Sequence, residues 1–227
     1  MPISAVIVAA GNSSRMNGEN KIFSIINEQT VLSYSLKAFV QDNLFDQIVL
    51  VVSEIDYKKA YEHIKSLGYS NVLLVIGGKR RQDSVKNGLK ALSKTSYVAI
   101  HDAARPCISK DTISKGIEMV YKHGSAVPVI PINSTIKSLD ESGVITDTLD
   151  RNKLFEAQTP QFFNYEMILD IHENIVQSYT DDASMAEVSD KKVMTFIGHP
   201  TNIKITSQFD LRLAQVILKD KIEWDQV

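Results

Sequence analysis

The chain has a single cysteine, no surplus of positive charge and no apolar run of membrane-spanning length, and each of these shortages removes a class of protein. With Cys107 alone, no intrachain disulfide can form, so a disulfide-stapled secreted scaffold is excluded and a reducing, cytoplasmic setting is expected. The opening Met1-Pro2-Ile3-Ser4 lacks the charged n-region and cleavage site of a secretory leader, which points the same way. The Asn-x-Ser/Thr matches at Asn12 and Asn133 therefore carry no glycosylation meaning. Lys and Arg number 25 against 27 Asp and Glu, a net charge of −2. A broad polyphosphate surface would need an excess of cations, so no nucleic-acid partner is expected, although a small basic pocket remains open. The longest apolar stretches, such as Ile48 to Val52, are strand-sized and far below the ~18 residues of a membrane span, so no membrane partner is expected either. What is present is ordinary for a globular chain. The 227 residues are 44% hydrophobic and 23% charged. That suits one α/β domain burying about 70% of its extended surface.

Apolar, partly β-branched runs alternate along the chain with segments of helical periodicity. Strands are expected at Ser4 to Ala10, Gln47 to Val52, Asn71 to Ile76, Tyr97 to His101 and Ala126 to Ile130. Helices are expected after Thr30 as N-cap and at Tyr57 to Leu67, Ser84 to Leu92 and Thr112 to Tyr121. Such alternation implies right-handed βαβ crossovers, hence a mostly parallel twisted sheet with helices on both faces. The rhythm breaks at Pro131. Residues 132–150 alternate polar and apolar around the turn Glu141-Ser142-Gly143, the pattern of a β-hairpin inserted in the domain. Isolated hairpins are marginal in water, so this arm is expected to pack on a second subunit. Beyond it, a helix is expected at Tyr165 to Val176, strands at Lys192 to Ile197 and Asn202 to Thr206, and a closing helix from Phe209 to Leu218 with Ser207 as N-cap.

Parallel sheets bind ligands at the carboxyl ends of their strands. After the first strand stands Ala9-Ala10-Gly11-Asn12-Ser13-Ser14-Arg15-Met16, with Lys21 following. Small residues let the backbone approach a ligand closely, its amides can cradle phosphate, and the two cations add charge. Neither the Walker ending nor the three-glycine dinucleotide fingerprint is present. After the third strand, Gly77-Gly78 precedes Lys79-Arg80-Arg81 at a helix start, where amides and cations together suit an anion. After the fourth, His101-Asp102-Ala103-Ala104-Arg105 offers a carboxylate for a hard divalent cation and a guanidinium for a phosphate. Each signal also has a structural explanation: an ordinary turn, a solvated basic loop, a structural ion pair. With no second ligand at metal spacing, His101 reads as a packed histidine. Asp181 and Asp182 read as helix capping, and Cys107 as a buried small hydrophobe. His63, His123, His172 and His199 read as surface residues.

The order of these motifs along one chain is more specific than any of them. Ala-Ala-Gly-x-x-x-Arg-Met, Gly-Gly-x-x-Arg-x-x-Ser-Val, His-Asp-Ala-Ala-Arg-Pro, Thr-Pro-Gln, Thr-Asp-Asp-Ala-Ser and Asn-Ile-Lys-Ile-Thr together closely resemble the 2-C-methyl-D-erythritol 4-phosphate cytidylyltransferases, from residue 5 to about residue 215. The resemblance implies a Rossmann-like nucleotidyltransferase fold, CTP and a polyol phosphate as partners, Mg²⁺ as cofactor, and a homodimer joined through β-arms. It places Ala9, Ala10, Gly11, Gly78 and Ser84 around the nucleoside, and Arg15, Lys21 and Lys204 on the phosphates as catalytic cations. Asp102 is then the metal ligand, and Arg105, Thr135, Arg151, Thr159 and Thr180 bind the acceptor, with Thr135 and Arg151 reaching the neighbouring subunit's site. Asn20, Ser134 and Thr201 depart from the family's usual proline, aspartate and aspartate. A ribitol 5-phosphate cytidylyltransferase resembles the same scaffold, but Ala104 and Ser184 stand where that relative more often has Val and Cys. A nucleotide-binding protein without turnover is expected to lose the cations and the carboxylate, which are all present here. The missing fingerprint disfavours a nicotinamide oxidoreductase.

Overall fold

A computed structural model describes residues 1–11 and 20–224. Strand β1 (Ile3–Val8) leads to the two-residue ribbon strands β2 (Ile25–Ile26) and β3 (Gln29–Thr30), then helix α1 (Val31–Val40). There follow β4 (Gln47–Val52), α2 (Tyr57–Ser66), β5 (Val72–Ile76), α3 (Arg81–Lys90), β6 (Tyr97–Asp102), α4 (Lys110–His123) and β7 (Ser125–Pro131). The arm is β8 (Ile136–Leu139) and β9 (Ile145–Leu149), after which come β10 (Phe155–Ala157), β11 (Gln161–Asn164), α5 (Tyr165–Asn174), α6 (Asp182–Val188), β12 (Thr195–Ile197) and α7 (Gln208–Trp224). The main sheet runs in the order β10-β7-β11-β6-β1-β4-β5, with β12 also paired to β7. Strands β6, β1, β4 and β5 are parallel, with Val6 opposite both Val49 and Ile100. The sheet is therefore mostly parallel with helices on both faces, as the alternation predicts.

Successive residues of the central strands serve opposite cores, which is why these strands read as continuous apolar runs. Ile3, Ala5 and Ile7 of β1 pack with Leu32, Leu36 and Phe39 of α1 and Ile113 of α4, whereas Val6 packs with Val85 and Leu89 of α3 and Ile168 of α5. A third cluster gathers Ile26, Val31, Ile205, Ala214 and Leu218 around Cys107, which is buried as a small hydrophobe. The caps at Thr30 and Ser207 are those the sequence predicts, and Ser109 adds one on α4 that it did not single out. Thr30 accepts from the Ser33 amide, Ser109 from that of Thr112 and Ser207 from that of Asp210, and Gly124 ends α4 at φ 80°.

Four expectations need correction. Residues 202–206 form no strand; they cross the carboxyl ends of the sheet, where the Asn202 and Ile203 amides donate within the turn, to His199 O and Thr201 O, and the Ile205 amide donates to Ala104 O. The predicted strand at Lys192 to Ile197 is confined to Thr195–Ile197, the three residues in register with β7. Helix α3 starts at Arg81 rather than Ser84, closed by the Arg80 amide donating to Asp83. Strands β10 and β11 were not anticipated: β11 is only four residues long, yet it is inserted antiparallel between β6 and β7. The arm is as expected, with Ile136 opposite Leu149, and Asp140 closes its turn by accepting from the Ser142 and Val144 amides. It forms its own two-stranded sheet, and β9 is exposed along its length.

Helix α3 lies so close to the sheet that a Cβ on Gly88 would stand 2.5 Å from Val6 Cγ1 and 2.8 Å from Val51 Cγ2. Gly88→Ala is therefore expected to destabilise the protein by about 1–3 kcal/mol despite the better helix propensity of alanine. Urea unfolding measures this, and an unchanged or raised midpoint would contradict the packing described.

Candidate active site

The parallel strands β1, β4, β5 and β6 end on one side of the sheet, and their loops enclose a cleft of about 430 Å³. One wall is built from small residues. Ala9, Ala10 and Gly11 follow β1, and Gly77 and Gly78 follow β5. A Cβ on Gly77 would stand 2.5 Å from Ala10 Cβ and 2.7 Å from Ser84 Oγ, so only glycine lets the two loops meet here. Ser84, in the first turns of α3, accepts from the Gly78 amide at 3.1 Å and fixes that loop from beneath. The result is a narrow wall of accessible backbone. Lys21 enters from a single helical turn (Lys21–Phe23), anchored by Asn20, whose side-chain amide donates to Asp56 Oδ2 at 2.6 Å.

The opposite side of the cleft is charged. Asp102 ends β6 between two cations: Arg81 Nε reaches Oδ1 at 3.1 Å and Lys204 Nζ reaches Oδ2 at 2.6 Å. Burial pushes the Asp102 carboxyl up, but Arg81 and Lys204 outweigh it and hold the group well below the usual carboxylate range. Behind Arg81 lies Asp182 Oδ2, 2.9 Å from Nη2, and Asp182 Oδ1 is 3.0 Å from His172 Nε2. Burial pulls the Arg81 pKa down, but the two carboxylates more than restore it and keep the guanidinium charged. These contacts correct two expectations. His172 is buried beneath α3 and α6 rather than on the surface, and Asp181 alone caps α6 while Asp182 turns inward to Arg81.

A hydrogen-bond chain orients the strand end. Arg105 O can only accept, so His101 Nε2, 3.2 Å away, carries the proton and Nδ1 is the acceptor. Thr159 Oγ1 donates to that Nδ1 at 3.1 Å and accepts from the Asp102 amide at 3.1 Å. Burial pushes His101 down to about 4, with Asp102 pulling the other way, so the ring is neutral at pH 7 as this chain requires.

The cleft thus brings together Ala9, Ala10, Gly11, Lys21, Gly78, Ser84, Asp102 and Lys204. Arg105 and Thr159 lie directly behind it. Arg105 is 5% exposed and donates from Nη1 to Asn202 O at 2.7 Å, and Thr159 is occupied by Asp102 and His101. Thr135 and Arg151 stand at the exposed base of the arm, where Arg151 Nη1 donates to Asn133 O, and neither lines this cleft. Thr180 is exposed, two residues before Asp182. Arg15 lies outside the described residues. Sequence reasoning placed Arg81 among the cations of an anion site without foreseeing its pairing with Asp102 and Asp182, and it missed the His172 and Asn20–Asp56 contacts. A signal for His172 was available, because it follows Ile168 and Ile171 at helical spacing on a buried face.

Among the described residues no group of three or more His, Cys, Asp or Glu could hold a metal by itself. One carboxylate facing a cationic cleft fits a hard divalent cation of the kind that takes most of its ligands from a polyphosphate and water.

The chain matches the family model "2-C-methyl-D-erythritol 4-phosphate cytidylyltransferase" over residues 3–220. Relatives of that name include one from Dehalococcoides mccartyi, 42% identical over 218 residues with 96% of each chain covered. Another, from Clostridium botulinum, is 43% identical over 222 residues, covering 95% of this chain and 97% of its own. Among solved structures, the 4-diphosphocytidyl-2C-methyl-D-erythritol synthase of Anaerococcus prevotii superposes with a TM-score of 0.85 at 29% identity over 96% of both chains. The Thermus thermophilus cytidylyltransferase gives 0.79 at 26% identity over 96% of this chain and 100% of its own. With a strand-end cleft of small residues facing a carboxylate between two cations, and a match along nearly its whole length, this chain belongs to the 2-C-methyl-D-erythritol 4-phosphate cytidylyltransferase family.

Proposed function

We propose that this protein transfers the cytidylyl group of CTP to 2-C-methyl-D-erythritol 4-phosphate, releasing pyrophosphate. The observation that carries this reading is Asp102 standing between Arg81 and Lys204, opposite the backbone wall of Ala10, Gly77 and Gly78. That wall is narrow enough for a pyrimidine and offers it main-chain donors and acceptors, while the cations face where a triphosphate would extend. The acceptor's phosphate oxygen is already anionic near pH 7, so no general base is needed. It forms a bond to the α-phosphorus as the bond to the β-phosphate oxygen breaks, and the electron pair leaves with pyrophosphate. The protein's work is to hold two anions together and to neutralise the charge that develops between them.

Lys204 is held at Asp102 before substrate arrives and can pass to a phosphate oxygen without leaving the cleft. Lys21 enters from the β1 side, and the family resemblance assigns Arg15 to the same task. Asp102 would hold Mg²⁺, which supplies neutralisation of the triphosphate and of the leaving group. Arg105 and Thr180 are assigned to the acceptor's phosphate and hydroxyls, and Thr159 to the acceptor side through its hold on Asp102. The exposed apolar residues of the arm, Leu139, Val144, Ile145 and Leu149, suit cover by a second copy, which would carry Thr135 and Arg151 to the partner's cleft. Among the described residues no helix is long and apolar enough to cross a membrane, and the buried single cysteine suits a reducing compartment.

Pyrophosphate release with CTP and Mg²⁺ is expected in the presence of methylerythritol phosphate and not with ribitol 5-phosphate or without acceptor. Release only with ribitol 5-phosphate would reassign the acceptor. Lys21→Ala is expected to lower kcat on the order of 10²–10³-fold with an unchanged melting temperature, and near-normal turnover would remove Lys21 from the chemistry. Light scattering is expected to give the mass of a dimer; a strict monomer would remove the role of Arg151 in a partner's site.

A further inference from the structure

Stability alone does not account for the charges behind the cleft, although they tie α3, α5 and α6 together. Asp182 is 0% exposed and His172 3%, although burying a carboxylate is costly and an apolar pair of the same volume usually serves stability as well. Capping does not account for Asp182, because Asp181 accepts from the Ser184 amide at 3.0 Å and closes α6 alone. The carboxylate of Asp182 can only accept, so His172 Nε2, 3.0 Å from Oδ1, is its donor. Arg81 Nη2 meets Oδ2 at 2.9 Å as an ion pair rather than an aligned hydrogen bond. From the interior to the cleft, four elements thus contribute a row of alternating sign: Asp182 on α6, Arg81 on α3, Asp102 on β6, and Lys204 on the segment after β12.

We propose that Asp182, held by His172, is a positioning residue for the transfer: it balances the charge of Arg81, so that Arg81 orients Asp102 without claiming its negative charge. Without Asp182, one carboxylate would face two cations, and the site would carry a surplus positive charge. That surplus attracts a bare triphosphate but repels a divalent cation at Asp102. With Asp182 in place, Arg81 and its inner partner sum to zero. Asp102 then keeps a charge to offer, while Lys204 remains able to pass to a phosphate. The inference rests on the reading of the cleft as a metal–nucleotide site, and it concerns residues that touch neither substrate nor metal.

The sign of the effect separates positioning from structural support. In full-length Asp182→Asn, which keeps the side chain's shape and an acceptor for His172, binding of Mn²⁺ in the presence of CTP, read by electron paramagnetic resonance, is expected to weaken about 10-fold or more. Binding of CTP in EDTA, read by calorimetry, is expected to hold or tighten. In turnover, the Mg²⁺ requirement should rise by the same factor while the CTP KM at saturating Mg²⁺ changes little. Removing both charges, in Arg81→Met with Asp182→Asn, should bring Mn²⁺ binding back towards that of the native protein. Equal weakening of both forms of CTP, or no change in either, would overturn the proposal. If Asp182→Asn does not fold, His172→Leu replaces it and is expected to move the same ratio in the same direction by a smaller factor. Native protein that binds no CTP at all would instead defeat the nucleotide assignment.

Discussion

The structure depends on a carboxylate taken out of water at the end of a central strand. Asp102 is tolerable there because cations reach its two oxygens from opposite sides, Arg81 at 3.1 Å and Lys204 at 2.6 Å. Desolvating an isolated carboxylate costs several kcal/mol, so each cation has to be delivered by a stiff piece of backbone. Helix α3 delivers Arg81 because Gly88 seats it directly against Val6 and Val51. The segment 202–206 delivers Lys204, although it has no strand to pair with. Asn202 Nδ2 donates to Thr159 O, the Ile205 amide donates to Ala104 O, and Ile205 is buried in the third cluster. The lysine is therefore clamped on both sides even though its own tip is in the cleft.

A second ordering works through neutral groups. The Asp102 amide, the Thr159 hydroxyl, the His101 ring and Arg105 O form one directional chain in which every donor has a single partner, and it holds only while His101 is neutral. Burial secures that state by pushing the ring down to about 4. The chain joins the backbone of Asp102, the carboxylate proposed to hold a metal, to that of Arg105, proposed to meet the acceptor. On that proposal both residues are fixed by one network before a ligand arrives, which is the form of preorganisation that lowers a barrier dominated by charge.

Much of this was legible in the sequence, for reasons that can be named. The apolar runs of β1, β4 and β6 and the caps at Thr30 and Ser207 report local chemistry, and local chemistry decided those elements. Ile203 and Ile205 show why the reading failed at 202–206: their alternation satisfies the strand pattern, but the buried face it reports is the packing around Cys107, with no strand alongside. Strand β11 was missed because four residues carry too little periodicity, although adjacent Phe162 and Phe163, both fully buried on opposite faces, could have marked it. Arg80 and Arg81 are the same residue type one position apart. Arg80 folds back on Asp83 and on Val176 O, whereas Arg81 turns in to Asp102 and Asp182. The partner distinguishes them: Arg80 meets Asp83, three positions on, whereas Arg81 meets Asp102 and Asp182, which only the fold brings near it.

The insertion of β11 explains how one excursion of the chain carries both the arm and Thr159. After β7 the backbone leaves the sheet, runs out along β8, returns along β9, and re-enters as β10 against β7 with Ala157 opposite Val129. It then turns through Gln158 and Thr159 before β11 slots between β7 and β6. Gln158 is tied at its amide to Pro128 O and at its side chain to His199 O, so the turn cannot slide. Thr159 consequently arrives under Asp102 at the inner end of the loop whose outer end carries Thr135 and Arg151. A purely parallel sheet would have needed a separate helical crossover to bring a residue to that spot. An antiparallel return supplies it in a few residues, and it makes the floor of the cleft and the base of the arm one continuous piece of backbone.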